Sequence, residues 1–212
     1  AAKKLLGEGV DAIVGAAASG VTRSIIDTIT KAKVVEISPS NTAPDLSTWK
    51  DGGYYFRTAP SDLLQGGVVG NQIVQDGNSN VGIIYQQTAY GEGLEKKAAA
   101  VIEAAGAKVV DAEAFKEGET NFDTVVDKVI AAGADSVLVV SYDEVKKIIP
   151  ALQKKQFDGS KIYLVDGNTV DFSDQSWKGY VAGAQEPSLV ARLTTHSSSV
   201  QQIFTRRPTA RP

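Results

Sequence analysis

The sequence predicts an α/β fold, with parallel sheets packed between helices. Helical and strand signals alternate from Ala1 to Val165. The strand segments are short continuous apolar runs, such as Val81-Gly-Ile-Ile-Tyr85 and Ser136-Val-Leu-Val-Val140. Runs of that kind mark strands buried on both faces, which is the condition of a parallel sheet between helical layers. At 42% hydrophobic and 22% charged residues, the chain has enough apolar surface to form a core and is not disordered by composition.

Taken in order, Ala1–Leu6 reads as a helix stopped near Gly7, and Asp11–Val14 as a short strand. Ser19 stands at the start of a helix through Thr22–Ala32, with Ile25, Ile26 and Ile29 on one face. Val34–Ile37 is the next strand, then a polar turn from Ser38 to Pro44, then an extended run Tyr54–Arg57. Thr58-Ala-Pro-Ser-Asp62 carries a proline and an N-cap, and is read as the crossing between two lobes. A helix over Ser61–Gln75 follows, closed by Asp76-Gly77-Asn78. Val81–Tyr85, Lys108–Ala114, Ser136–Val140 and Lys161–Val165 are predicted strands, with Tyr180–Ala182 as another. Between them run helices over Gly91–Ala105, from a Thr120/Asp123 capping box to Ala132, and over Asp143–Gln156 with Pro150 as a kink.

The charge is unevenly placed. Removing the four arginines of residues 187–212 (Arg192, Arg206, Arg207, Arg211) from the 22 basic side chains leaves 18 against 25 acids, a body of charge -7 carrying a basic tail. The tail has three of the seven prolines, the only histidine and no acid. An acidic body argues against a nucleic-acid partner. Absence of cysteine removes disulfides, thiol nucleophiles and zinc–thiolate sites. No D-x-D-x-D-G loop or second histidine offers a metal site. Gly15-Ala-Ala-Ala-Ser-Gly20 has phosphate-loop glycine spacing, but Val21-Thr22 replaces the lysine that would meet phosphate charge. No cofactor and no catalytic base beyond carboxylates is indicated, so an enzyme is the weakest of three readings.

What remains is a set of small polar residues where strands end, and open α/β sheets bind ligands there. Those ends are Ala17-Ala18-Ser19-Gly20, Ser40-Asn41-Thr42, Thr88-Ala89-Tyr90, Ser141-Tyr142-Asp143 and Asp166-Gly167-Asn168. Ser19 at a helix start serves either as an N-cap or as a hydroxyl beside N–H groups suited to a carboxylate. Asp166 is either a turn residue or the partner of an ammonium. Thr42 can bridge both groups, and Tyr90 and Tyr142 are read as closing over the ligand. The set suits a small zwitterion held reversibly.

Val10-Asp-Ala-Ile-Val-Gly15, Ile37-Ser-Pro-Ser-Asn-Thr-Ala-Pro44, Tyr55-Phe-Arg-Thr58, Tyr90-Gly-Glu-Gly93, Phe122-Asp123 and Gly133-Ala-Asp135 together resemble a type I periplasmic binding protein, above all the branched-chain amino-acid-binding (Leu/Ile/Val) components of ABC transporters. The likeness covers about residues 1–185. It implies two Rossmann-like lobes closing on a ligand, an extracytoplasmic location, a small amino acid as ligand and a membrane permease as partner. It carries the ligand serine onto Ser19, the Ser-Pro-x-x-Thr loop onto Ser40 and Thr42, the cleft tyrosines onto Tyr90 and Tyr142, and the acid onto Asp166, where many members have Glu. Ala17 and Ala18 would border the ligand side chain. A receptor domain of the same fold for an amide, urea or organic acid is the alternative.

Family members also carry a strand–helix–strand portion before the position of Ala1 and return to the first lobe after about Gln185. The expectation is therefore a partial first lobe over 1–58, a nearly whole second lobe over 59–186, and a tail over 187–212 that leaves the family pattern, either as a frame-shifted or appended end or as a genuine divergent terminus. Unpaired edge strands in 1–57 would favour association.

Overall fold

A computed structural model describes residues 1–169. The predicted strand at Tyr180–Ala182 and the basic tail lie outside the described residues.

The order of elements is α1 (Ala2–Gly7), β1 (Ala12–Val14), α2 (Ser19–Lys31), β2 (Val35–Ser38), a 3-10 turn (Pro44–Thr48), β3 (Tyr55–Arg57), α3 (Asp62–Gln75), β4 (Asn80–Gln86), α4 (Ala89–Ala104), β5 (Lys108–Phe115), α5 (Asp123–Ala131), β6 (Ser136–Val140), α6 (Val145–Lys154) and β7 (Ile162–Tyr163). The strands form two separate sheets, ordered β1-β2-β3 and β5-β4-β6-β7. Every strand pair is parallel, as the apolar runs predict.

The second sheet shows why continuous apolar runs were needed. Alternate side chains of a strand point to opposite faces. Ile84, Val137, Val139 and Ile162 pack with Val126 and Val129 of α5 and with Ile148, Ile149 and Leu152 of α6. Val81, Ile83, Leu138, Val140 and Tyr163 pack on the other face with Val69 and Ile73 of α3 and with Leu94, Ala98 and Ile102 of α4. Helices α3 and α4 also pack closely on each other. A Cβ on Gly66 would stand 2.9 Å from the Lys97 Cβ, and one on Gly70 would stand 3.0 Å from the Ala98 carbonyl oxygen.

Among the described residues the first sheet is covered on one face. Helices α1 and α2 lie over Ile13, while Ile26 of α2 meets Tyr55, Ala43 and Leu46. On the opposite face Val14 is 79% exposed and Phe56 53% exposed.

Helix starts follow local chemistry, with two departures from expectation. The Ser61 hydroxyl caps α3 by accepting from the Leu63 N–H, and the Thr88 hydroxyl caps α4 by accepting from Gly91. Ser19 is not a cap: the N-cap of α2 is Ala18, and Ser19 is the first helical residue. The Thr120/Asp123 box is also absent. Glu119 accepts from the Thr120 and Asn121 N–H groups, and Asn121 accepts from Asp123, so an adjacent acid and amide outcompete the threonine.

Candidate functional site

On the first-sheet side, the loop after β1 and the loop after β2 are sewn together by polar side chains. The Ser38 hydroxyl donates to the Ala16 carbonyl and accepts from the Asn41 N–H. Asn41 donates through Nδ2 to the carbonyls of Ala16 and Ala17, and its Oδ1 accepts from the Tyr55 hydroxyl at 2.9 Å. The Ser40 hydroxyl donates to the Ala17 carbonyl. Arg57 clamps the same loop from β3, donating to the Ala43 carbonyl at 2.9 Å and to Ser47.

Freed from capping, the Ser19 hydroxyl oxygen accepts from the Thr42 and Ala43 N–H groups at 3.3 and 3.2 Å. Ser19 and Thr42 are both buried, Ser40 and Ala17 are exposed and Ala18 is half-buried. With its oxygen engaged this way, the Ser19 O–H hydrogen is directed elsewhere and is available to an acceptor. Ser19, Ser40, Thr42, Ala17 and Ala18 thus share one loop cluster at the strand ends.

The second-sheet side is organised around Asp166, which follows β7 in a 3-10 turn. Its Oδ1 accepts three hydrogen bonds: from the Tyr90 hydroxyl at 2.7 Å, the Gly167 N–H at 2.8 Å and Gln65 Nε2 at 2.9 Å. Tyr90 stacks on Tyr142, with ring centroids 5.1 Å apart. Burial, then the Asp166 charge, pushes the Tyr90 hydroxyl well above its ordinary range, so it remains a proton donor. Burial, again followed by Asp166, raises Tyr142 to about 12. Gly167 is required by close approach: a Cβ there would stand 2.6 Å from the Tyr90 hydroxyl and 2.9 Å from the Ser141 carbonyl oxygen. Buried Asn168 ties the turn down, donating to the Val139 carbonyl and Ser141 hydroxyl and accepting from the Val165 N–H.

The two sides are joined where the Asp62 N–H donates to the Thr42 carbonyl at 2.8 Å. Asp62 opens α3, and its carboxylate is fully buried. Among the described residues neither of its oxygens has a hydrogen-bond partner in good geometry. Burial, then repulsion from Asp166, pushes it up to about 7, while the Thr42 hydroxyl and the Arg57 charge offset part of this. Asp62 in turn raises both Tyr90 and Tyr142, so it belongs to the same cluster.

Asp62 and Gln65 carry no role in the sequence reading, although they lie one turn apart on α3. Asn41 and Asn168 stand in the strand-end set without a role, and Arg57 stands only within the stretch of family likeness. Their spacing from their partners explains this, since Gln65 meets a residue 101 positions away. A groove of about 530 Å³ lies apart from this cluster, between Arg23, Pro44 and Asp45 on one side and Leu63, Glu92, Gly93 and Lys97 on the other. None of the predicted site residues lines it.

Two strand-end loop clusters thus lie on either side of Asp62, the first reaching it through Thr42 and the second through Asp166. The periplasmic binding protein family model matches residues 1–191. The chain belongs to that family. The match runs past Pro187, where the tail was expected to leave the family pattern. This periplasmic binding protein is 31% identical over 144 residues to the leucine-, isoleucine-, valine-, threonine- and alanine-binding protein of Pseudomonas aeruginosa, covering 66% of this chain and 38% of that one. A solved extracellular ligand-binding receptor from Rhodopseudomonas palustris HaA2 is 27% identical with a TM-score of 0.74, covering 78% of this chain and 46% of that one. A solute-binding protein of an R. palustris ABC transporter, solved with 4-hydroxybenzoate, has a TM-score of 0.78 at 16% identity, covering 97% of this chain and 58% of that one, and shows the fold alone. The chain spans less than two fifths of the length of the curated relatives it matches. Its fold is that of type I periplasmic binding proteins, a family of extracytoplasmic binding proteins rather than enzymes. Among the described residues no helix is long and apolar enough to cross a membrane.

Proposed function

We propose that this periplasmic binding protein is the solute-binding component of an ABC importer and takes a small amino acid, of the branched-chain or a related kind. In this reading Ser19, Thr42 and the backbone at Ser40 hold the α-carboxylate, and Ala17 and Ala18 border the ligand side chain. Asp166 holds the α-ammonium, while Tyr90 and Tyr142 close the cleft from the second-sheet side. A membrane permease receives the ligand.

The observation that carries the reading is the hydrogen bonding of Asp166. All three of its donors converge on Oδ1, which orients the carboxylate and leaves Oδ2 for a cation. Tyr90 then works twice, as part of the aromatic wall and as the group that positions the acid. The amino acids named for the P. aeruginosa relative agree with this chemistry. A simple organic acid such as 4-hydroxybenzoate would bring a negative charge, without an ammonium, to a cleft already holding Asp62 and Asp166, which disfavours the organic-acid form of the alternative.

The test is calorimetry of the full chain against the twenty amino acids, preceded by thermal-shift screening, since a bound ligand stabilises by mass action. Asp166→Asn keeps an acceptor for Tyr90 and Gln65 but removes the charge. It is expected to weaken binding by roughly 30- to 1,000-fold, the effect of removing one partner from a desolvated charge pair. Unchanged affinity would show that Asp166 is a turn residue only.

A further inference from the structure

The Asp62 carboxylate has no use within the described fold. An ionised carboxylate taken out of water and left without donors is strongly unfavourable, so buried charges are normally paired or hydrogen-bonded. Among the described residues Asp62 has no ion pair and no hydrogen bond in good geometry, and the nearby Thr42 hydroxyl and Arg57 charge offset its burial only in part, although it lies at a helix start that already has a cap in Ser61. The groups that face it are Thr42 from the loop after β2, Arg57 from β3, Tyr90 from α4, Tyr142 from the loop after β6 and Asp166 from the turn after β7. All except Arg57 are residues of the proposed ligand site. Arg57 is committed to backbone carbonyls of the neighbouring loop and is no partner for Asp62. One turn further along α3, Gln65 reaches Asp166, so α3 directs two consecutive inward positions at this end of the cleft.

We propose that Asp62 is a second anionic contact for the ligand's cationic group, acting with Asp166, so that the cleft selects a primary ammonium, or another cation with at least two N–H donors, over ligands with a single donor or none. This rests on the amino-acid reading of the same site and deepens it. A primary ammonium carries three donors. One can meet Asp166 Oδ2 and another Asp62, which relieves the unpartnered carboxylate and the repulsion between the two acids together. A primary amide has two N–H donors but no charge to offset the repulsion, and a carboxylic acid adds to it.

The same geometry couples binding to a proton. Without a cation, burial and then the neighbouring Asp166 charge favour the protonated form of Asp62, which is pushed up to about 7. An arriving ammonium replaces that proton. Binding is then expected to release close to one proton per ligand at pH 6 and little at pH 8. Affinity should rise about tenfold between those two pH values, as the ionised fraction of Asp62 grows.

The experiment compares the full 212-residue chain with its Asp62→Asn variant in two arms. In the first, thermal stability without ligand is measured at pH 5 and pH 8. Asn mimics the protonated acid, so the variant is expected to match the wild type at pH 5 and to exceed it at pH 8. A variant less stable than wild type at pH 8 would mean that Asp62 serves a structural partner, and would overturn the proposal whichever ligand binds. In the second arm, the amino acid giving the largest thermal shift is titrated at pH 6, 7 and 8 in two buffers of different ionisation enthalpy. The wild type should release a proton at pH 6, and Asp62→Asn should bind at least tenfold more weakly at pH 8, without proton release or pH dependence. Equal affinity of the two proteins with no proton release overturns the proposal while leaving the amino-acid reading intact. If no amino acid shifts the wild type but Asp62→Asn is more stable at pH 8, the amino-acid reading falls, and Asp62 stands as a carboxylate facing an open site for another cation.

Discussion

In β4, Ile83 and Ile84 point to opposite faces of their sheet and both are fully buried. In β1, Ile13 is buried and its neighbour Val14 is 79% exposed. The two sheets share strand direction and strand-end chemistry, yet among the described residues one is packed between two helical layers and the other rests on one. Their contributions to the site differ accordingly. On the second-sheet side, Tyr90 and Tyr142 join the apolar core and Asp166 is set by a turn anchored to it. On the first-sheet side, the loops are held mainly by polar cross-links through Ser38, Asn41 and Arg57. Apolar cover thus positions one wall of the cleft, and hydrogen bonding positions the other.

The most direct way to break this comparison is to truncate one residue in each sheet. Ile84→Ala removes a fully buried side chain packed against α5 and α6 and is expected to cost about 2–5 kcal/mol. Phe56→Ala, on the open face of the first sheet, should change stability by under about 1 kcal/mol, since so little is removed from a packed environment. Equilibrium urea unfolding measures both. A cost for Phe56→Ala near that of Ile84→Ala would show that the open face is covered in solution.

A second pair tests the polar cross-links. Asn41 and Asn168 are both fully buried and each makes three hydrogen bonds, one on either wall. The acceptors of Asn41 are shared, since Ala16 also receives from Ser38 and Ala17 from Ser40. Asn168 is the hydrogen-bond acceptor for the buried Val165 N–H. Both variants orphan a buried donor, but the Tyr55 hydroxyl left by Asn41→Ala can rotate toward Ser38 while the Val165 backbone N–H left by Asn168→Ala cannot, so Asn168→Ala should cost about 2–3 kcal/mol and Asn41→Ala about 1–2 kcal/mol. Ligand titration of the same variants separates the walls further: Asn168→Ala should disturb Asp166 and hence the proposed ammonium end, and Asn41→Ala the proposed carboxylate end.

These pairs also mark what the sequence makes legible. Strand direction and layer order follow from runs such as Val137–Val140, whose apolar residues have no polar alternation. The strand-end residues follow from the rule that such sheets bind ligands there. The Ser61 cap is visible because its partner Leu63 is two residues away. The role of Asp62 is not visible, since an acid beside a helix cap looks like ordinary first-turn chemistry. Only the fold brings Asp166, more than a hundred residues later, against it. Ser19 shows the reverse case. Its residue type fits a helix cap, but the loop carrying Thr42 and Ala43 folds back on it and takes the hydroxyl instead.

The smallest expected effect asks how far the cover of the second sheet depends on close helix contact. Gly66 and Gly67 are neighbours on α3 and face differently. A methyl at Gly66 would stand 2.8 Å from Lys97 Cγ and 3.0 Å from the Ala98 backbone nitrogen, while at Gly67 nothing lies within 4 Å. Neither residue has the positive φ that would itself oppose a side chain. Gly66→Ala must push α3 from α4 and should cost about 1–3 kcal/mol, as overpacking does. Gly67→Ala should instead gain about 0.5–1 kcal/mol, because alanine restricts the unfolded chain and favours the helix. Thermal unfolding of the two variants decides it. Opposite signs tie the firmness of this wall to the α3–α4 contact. A gain from both would mean the helices yield easily, and the contrast between the two walls would then rest on side-chain burial in β4, β6 and β7 alone.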